Sequence, residues 1–282
     1  MTERGCQTAR MHEYRLRAHN TATASTNRIH DDTVAREYGF GGGLVPGVDV
    51  YAYMTHVPAE AWGEDWLARG TMRARFLTPV YDGDEIVVLP GEPVLDAGGG
   101  TSVALEVRNA AGDTCATGEA GLPAESVPAP PPHWSVVEPA PDPPPASPEA
   151  LVPGTALGLD AHRFVADRAG EYLADVRETL LLYQARQVAH PGWLLRDANY
   201  VLSRNVVLGP WIHVESVVQH HAAVGDGEVV ATRATVTREW EHKGHRFVEL
   251  DVGVLGGDGG VAAQIRHTAI YRPRRHRAAA PG

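Results

Sequence analysis

Asn27-Arg28-Ile29-His30-Asp31-Asp32, followed by Ala35, Gly39-Phe40 and Leu44-Val45-Pro46-Gly47, is the stretch on which the reading of this 282-residue chain turns. It sets a histidine in a turn, a short helix behind it and, past the glycine run 41–43, the start of an apolar helix over Val48 to His56. Asp32 precedes Thr33-Val34-Ala35-Arg36-Glu37 and suits a helix N-cap, since its carboxylate can accept from the unpaired N–H groups of a first turn. Gly41-Gly42-Gly43 lacks a following Lys-Ser/Thr, so it reads as a mobile loop and not as a phosphate cradle.

Outward from this stretch the chain divides in two. Pro128 to Pro148 holds Pro-Pro-Pro at 130–132 and again at 143–145, and proline's fixed φ and missing N–H favour an extended spacer. Units at 12–126 and 150–275 are expected around a linker at 127–149. The units repeat one another. Asp82-Gly83-Asp84 and Asp226-Gly227-Glu228 are turns that each run into a strand. Ser102 to Arg108 and Cys115 to Ala120 then match Phe247 to Leu255 and Ala262 to Tyr271 as strand pairs with glycine-rich turns. A second apolar helix, Trp193 to Ser203, follows Pro191-Gly192 as the first follows Pro46-Gly47.

The motif resembles the hydratase segment of the MaoC-like, R-specific enoyl-thioester hydratases. Their usual form is Asp-x-Asn-Pro-x-His-x-Asp, then Ala, Gly-Phe and His-Gly. Asn27, Ile29, His30, Asp32, Ala35, Gly39, Phe40 and Gly47 match it; Arg28 stands where proline is usual, Pro46 where histidine is usual, and Ser25 at the catalytic aspartate's place. Thr71 to Val80, Pro210 to Val214 and Arg266 to Pro273 extend the similarity along the chain. The resemblance implies an α+β tandem (double) hotdog, each half an antiparallel sheet wrapped around a long helix. It also implies a hydro-lyase acting on a 3-hydroxyacyl/2-enoyl thioester of coenzyme A or an acyl carrier protein, and the Ser25 departure points to a specialised or secondary-metabolic pathway. By position, His30 would be the acid/base and Asn27 its orienting residue. The Gly47 N–H, at a helix N-terminus, would polarise the thioester carbonyl. Pro46, Phe40 and Val45 would join Gly47 in the substrate site. No cofactor is implied.

Ser25 leaves the chemistry open, because a serine cannot take a proton at neutral pH as a carboxylate does. His30 could act as the sole base, or a carboxylate such as Asp31 or Asp49 could substitute. Otherwise the pocket performs a different His-driven reaction (isomerisation, thioester hydrolysis, cyclisation) or only binds an acyl group. The second half has Gln184 to His190 where the motif would fall, so it is expected to supply the opposite pocket wall without a catalytic set. Arg177, Arg186 and Arg196 are candidates for a carrier phosphate.

Composition narrows the field. A formal net charge of −10 argues against nucleic-acid binding, and the basic cluster Arg272 to Arg277 reads as a solvated end. No run of about 18 apolar residues suggests a membrane span, and Met1 to Arg10 lacks a signal-peptide core, so a soluble cytoplasmic protein is expected. Cys6 and Cys115 form neither a disulfide framework nor a metal spacing. His220-His221 and His242-x-x-His245 are too sparse for a metal site. Trp211-Ile212-His213 reads as strand packing. A fused pair of units can be complete as a monomer or can form a homodimer.

Overall fold

The computed structural model describes residues 11–274. In chain order these form β1 (Tyr14–Arg17), α1 (Asp32–Glu37), α2 (Gly47–Arg69), β2 (Thr71–Phe76), β3 (Glu85–Pro90), β4 (Val94–Leu95), β5 (Thr101–Asn109) and β6 (Thr114–Leu122). Then follow β7 (Ala156–Gly158), β8 (His162–Arg163), α3 (Ala169–Asp175), α4 (Leu182–Arg186), α5 (Pro191–Ser203), β9 (Ile212–His220), β10 (Val229–His242), β11 (His245–Leu255) and β12 (Val261–Arg272).

The strands make one antiparallel sheet whose main path runs β1-β3-β5-β6-β2-β9-β12-β11-β10-β7. That order is a palindrome: β2, β6, β5, β3 and β1 correspond to β9, β12, β11, β10 and β7. The halves join where β2 pairs with β9, Thr71 opposite Gln219 through Arg75 opposite Glu215. Strand alternation turns Met72, Ala74, Val103, Leu105 and Val107 inward in the first half, and Val248, Leu250 and Val252 in the second. The two long helices lie against these faces and against each other.

Helix α2 runs well past His56. Every residue from Val48 to Ala59 is buried, so the segment has no polar face and no helical periodicity to mark its extent. It passes through Pro58 and breaks at Gly63, where φ is 57°. The N-cap of α1 is Asp31 and not Asp32: Asp31 Oδ1 accepts from the N–H groups of Thr33 and Val34 at 3.1 and 3.0 Å. Asp32 opens the helix and accepts instead from Gly43 N–H at 2.7 Å. Gly41 N–H also donates to the Tyr81 hydroxyl at 3.0 Å, so the glycine run is tied down and not free.

The proline-rich stretch carries no helix or named strand, as its composition requires, yet it is not a free spacer. Trp134 is buried over Gly253 and donates from Nε1 to the Asp251 carbonyl at 3.0 Å. Further on, Ala146 N–H donates to the Val207 carbonyl at 2.9 Å. Cys115 is a buried free thiol on β6, and Cys6 and residues 275–277 lie outside the described residues. No helix among the described residues is long and apolar enough to cross a membrane.

Candidate active site

A cavity of about 260 Å³ opens between the N-terminus of α2 and the start of β9, with Asn27, His30, Phe40, Val45, Pro46 and Gly47 in its wall. His30 ends a single 3-10 turn, Arg28–His30, that Asn27 caps. The glycine run folds back over this turn so closely that a Cβ on Gly43 would strike the His30 carbonyl. This approach brings the Leu44 carbonyl to 2.7 Å from His30 Nδ1, which must therefore carry the proton.

The other ring nitrogen agrees. Asn27 Oδ1 accepts from Trp211 N–H at 3.1 Å and Asn27 Nδ2 donates to the Trp211 carbonyl at 3.0 Å, an arrangement that permits only one orientation of the amide. The remaining Nδ2 hydrogen faces His30 Nε2 at 3.2 Å, so Nε2 presents its lone pair. Burial pushes the imidazole below its ordinary pKa, against the upward pull of the Leu44 carbonyl and of the Asp49 charge. His30 is thus a neutral base at pH 7, held by backbone from its own half and through Asn27 by backbone from the other.

Gly47 is the first residue of α2, where N–H groups have no intrahelical acceptor and the helix dipole adds partial positive charge. Its Cα faces His213 of β9: a Cβ there would lie 2.9 Å from His213 Nδ1. His213 and Asn199 of α5 are polar wall residues that the sequence did not single out for chemistry. Trp211 and His213 do more than fill a strand, since one clamps Asn27 and the other faces the helix start. The residues are 184 apart in the chain at the Asn27–Trp211 contact, a separation that no local pattern reveals.

Of the remaining candidates, all but His245 lie outside the cavity wall. Ser25 is exposed, its hydroxyl accepts from Asn27 N–H at 3.1 Å, and it does not reach the cavity. Asp31 is occupied as a helix cap. Asp49 is fully buried, bonded to Thr21 Oγ1 at 2.6 Å and to Arg196 Nη2 at 2.8 Å. No carboxylate lines the cavity among the described residues. Arg196 is committed to Asp49 and Arg186 to Glu64 at 2.6 Å, while Arg177 bonds the Ala174 carbonyl. In the second half, His190 caps α5 by accepting from Gly192 N–H at 3.0 Å. Glu178 lies beside it at 3.5 Å and bonds His56 at 2.8 Å, and these two imidazoles hold its carboxyl down at about 2 against the effect of burial. His242 and His245 face each other across the β10–β11 turn, His245 also bordering the cavity, and His220 is buried edge-on to Trp66.

No family model and no curated protein matches the chain. Solved structures do. A provisionally described MaoC domain protein dehydratase from Chloroflexus aurantiacus superposes with a TM-score of 0.62 at 12% identity, over 94% of this chain and 95% of that one. A Mycobacterium tuberculosis protein described as having a double hotdog fold gives 0.61 at 14% identity, over 93% and 96%. A provisionally described thioesterase from Novosphingobium aromaticivorans gives 0.54 at 12%, over 82% and 89%. At such identities the likeness carries the architecture: this chain has the double hotdog fold, in the arrangement found in structures described as MaoC-like dehydratases.

Proposed function

We propose that the chain is a MaoC-like lyase that interconverts 3-hydroxyacyl and 2-enoyl thioesters carried on coenzyme A or an acyl carrier protein, with units 12–126 and 150–275 sharing one site. The observation that carries this reading is the meeting of the His30 Nε2 lone pair and the open start of α2 in one largely apolar cavity.

In the dehydration direction, the acyl chain lies along Phe40 and Val45 and the thioester carbonyl oxygen accepts from Gly47 N–H. That contact stabilises the negative charge which develops as the α-C–H bond breaks. His30 Nε2 takes the α-proton; its contact with Asn27 is at the long limit of a hydrogen bond and yields to the approaching carbon acid. The electron pair forms the C=C bond as the β-C–O bond breaks, and the imidazolium returns its proton to the departing hydroxyl, releasing water. One base thus serves twice on one face of the substrate. This suits a wall without a carboxylate. The same feature favours isomerisation as the second reading, since a single imidazole can move a proton along an acyl chain without water.

Mass spectrometry of purified protein with crotonyl- and 3-hydroxybutyryl-coenzyme A tests the proposal. Gain or loss of one water, abolished by His30→Ala, is expected. Turnover that survives His30→Ala removes the assignment, and a product of unchanged mass selects isomerisation.

A further inference from the structure

Three buried polar side chains that this mechanism leaves unused lead inward from the cavity. His213 Nε2 is 2.8 Å from Ser216 Oγ on β9, and Ser216 Oγ is 3.0 Å from His267 Nδ1 on β12. The two rings stand 4.4 Å apart, and Ser216 and His267 have no accessible surface. Both ends of the chain are open: His213 Nδ1 and His267 Nε2 have no partner among the described residues.

A hydroxyl donates once, so the protons have two possible orders. In one, Ser216 donates to His213 Nε2 and accepts from His267 Nδ1–H; His213 then carries an unpartnered proton on Nδ1, and His267 Nε2 keeps an unpartnered lone pair. In the other every bond is reversed, and an N–H donor is stranded at His267 Nε2. Each order leaves one buried N–H without a partner; only in the first does it belong to a residue of the cavity wall, where a bound ligand can accept it, so the first order is favoured.

We propose that His213, as its Nδ1–H tautomer, donates a second hydrogen bond to the thioester carbonyl oxygen beside the Gly47 N–H. This rests on the acyl-thioester reading above. The geometry allows a shared oxygen. A Cβ on Gly47 would be 2.9 Å from Nδ1, and covalent geometry puts a Cβ about 2.5 Å from its own nitrogen. The two donor nitrogens are therefore within about 5.4 Å of each other, and one oxygen can sit at hydrogen-bond distance from both. Burial, reinforced by the neighbouring His267, holds His213 well below its ordinary pKa, so it acts as a neutral donor and not as an acid. Ser216 and His267 are positioning residues that select the tautomer. The double donor also explains why glycine stands at 47: a methyl group there would push into an imidazole that Ser216 holds in place.

Nitrogen-15 NMR of imidazole-labelled protein without substrate reads the tautomer directly. Nδ1 of His213 is expected to be protonated and Nε2 bare; protonation at Nε2 overturns the proposal. On an enoyl thioester that the natural protein turns over, His213→Leu is expected to lower kcat/KM by about 10²–10³-fold. It should also raise the carbonyl stretching frequency of the bound carbon-13-labelled thioester. His213→Asn, whose amide can sit where Nδ1 was, should recover part of both. Ser216→Ala should mix the tautomers while leaving the ring in the wall, which keeps the test available if His213→Leu fails to fold. Rates within about threefold of the natural protein for His213→Leu overturn the inference and leave the lyase reading standing. A natural protein that neither turns over thioesters nor shifts their carbonyl band removes both.

Discussion

Asp49 is where structural and catalytic roles for a carboxylate can be separated by experiment. It occupies the third residue of α2, has no accessible surface, and is 2.8 Å from Arg196 Nη2, whose side chain is 19% exposed. The Arg196 guanidinium also lies 4.4 Å over the Tyr172 ring. Attraction between unit charges at that 2.8 Å separation is about 6 kcal/mol at an effective dielectric constant of 20. Much of this is offset by desolvation, so the pair itself stabilises the fold little. Removing one partner is another matter, since it strands the other charge, and such losses run to about 3–5 kcal/mol. Asp49→Asn preserves shape and removes the charge, and the partial exposure of Arg196 lets water relieve some of the loss. A destabilisation of about 3 kcal/mol is expected, which for a chain of this size lowers Tm by roughly 5 °C. Adding Arg196→Met should recover most of that, because an uncharged pair leaves nothing stranded. Scanning calorimetry of the two single variants and the double variant measures the coupling, with kcat at 25 °C measured alongside. An unchanged Tm with abolished turnover would refute the argument and make Asp49 the carboxylate that stands in for the missing aspartate.

Two further outcomes are expected. Ser25→Asp restores the letter of the motif, but it puts the carboxylate on an exposed turn where it can accept from Asn27 N–H as serine does; kcat/KM within about twofold of the natural protein is expected, and a tenfold gain would show that the loop path is different. Acid should destabilise the fold before carboxylates titrate. Burial lowers His30, His190 and His213, takes His220 down to about 4 and His267 to about 3, so the unfolded chain binds protons that the native chain refuses. Stability is then complete above the ordinary histidine value and is lost as pH falls from about 6.5 towards 4, each such group contributing a slope of at most about 1.4 kcal/mol per pH unit. Asp197, raised to about 6 by burial, acts in the opposite sense, but it is one group against several. Urea midpoints measured from pH 8 to 5 check this; a midpoint that does not fall below pH 6.5 contradicts it.

What could be read in the sequence was local. Pro46-Gly47 and Pro191-Gly192 mark the starts of both long helices, and the Asp-Gly turns mark the strands that follow, because helix starts and tight turns are fixed by a few adjacent residues. The His30 turn was legible for the same reason. The end of α2 was not, since a helix buried on every side loses the alternation that normally declares it. Nor was the second set of wall residues: Trp211 and His213 reach the cavity because β2 and β9 pair across the join of the halves, and Asn199 because α5 packs on α2. Ser25 shows the reverse error. Counting along a motif assumes that the backbone follows the same path, and here a serine hydroxyl closes a local turn and faces outward.

The palindromic sheet offers two equivalent helix starts, and the proposed site uses only one of them. At α2 the N-cap is Pro46, which has no side-chain acceptor to offer, so the first N–H groups remain available to a ligand in the cavity. At α5 the N-cap is His190, and its Nδ1 already accepts from the N–H of Gly192, the counterpart of Gly47. The Tyr172 hydroxyl closes the same place so tightly that no Cβ could be added to Gly192, and the Glu178–His56 pair is sealed behind it. A substrate carbonyl arriving at α5 would have to displace both a covalently tethered acceptor and a phenol. The half that resembles a hydratase is therefore the half whose helix start was left uncapped, while its partner's polar groups were turned inward to hold the two helices together.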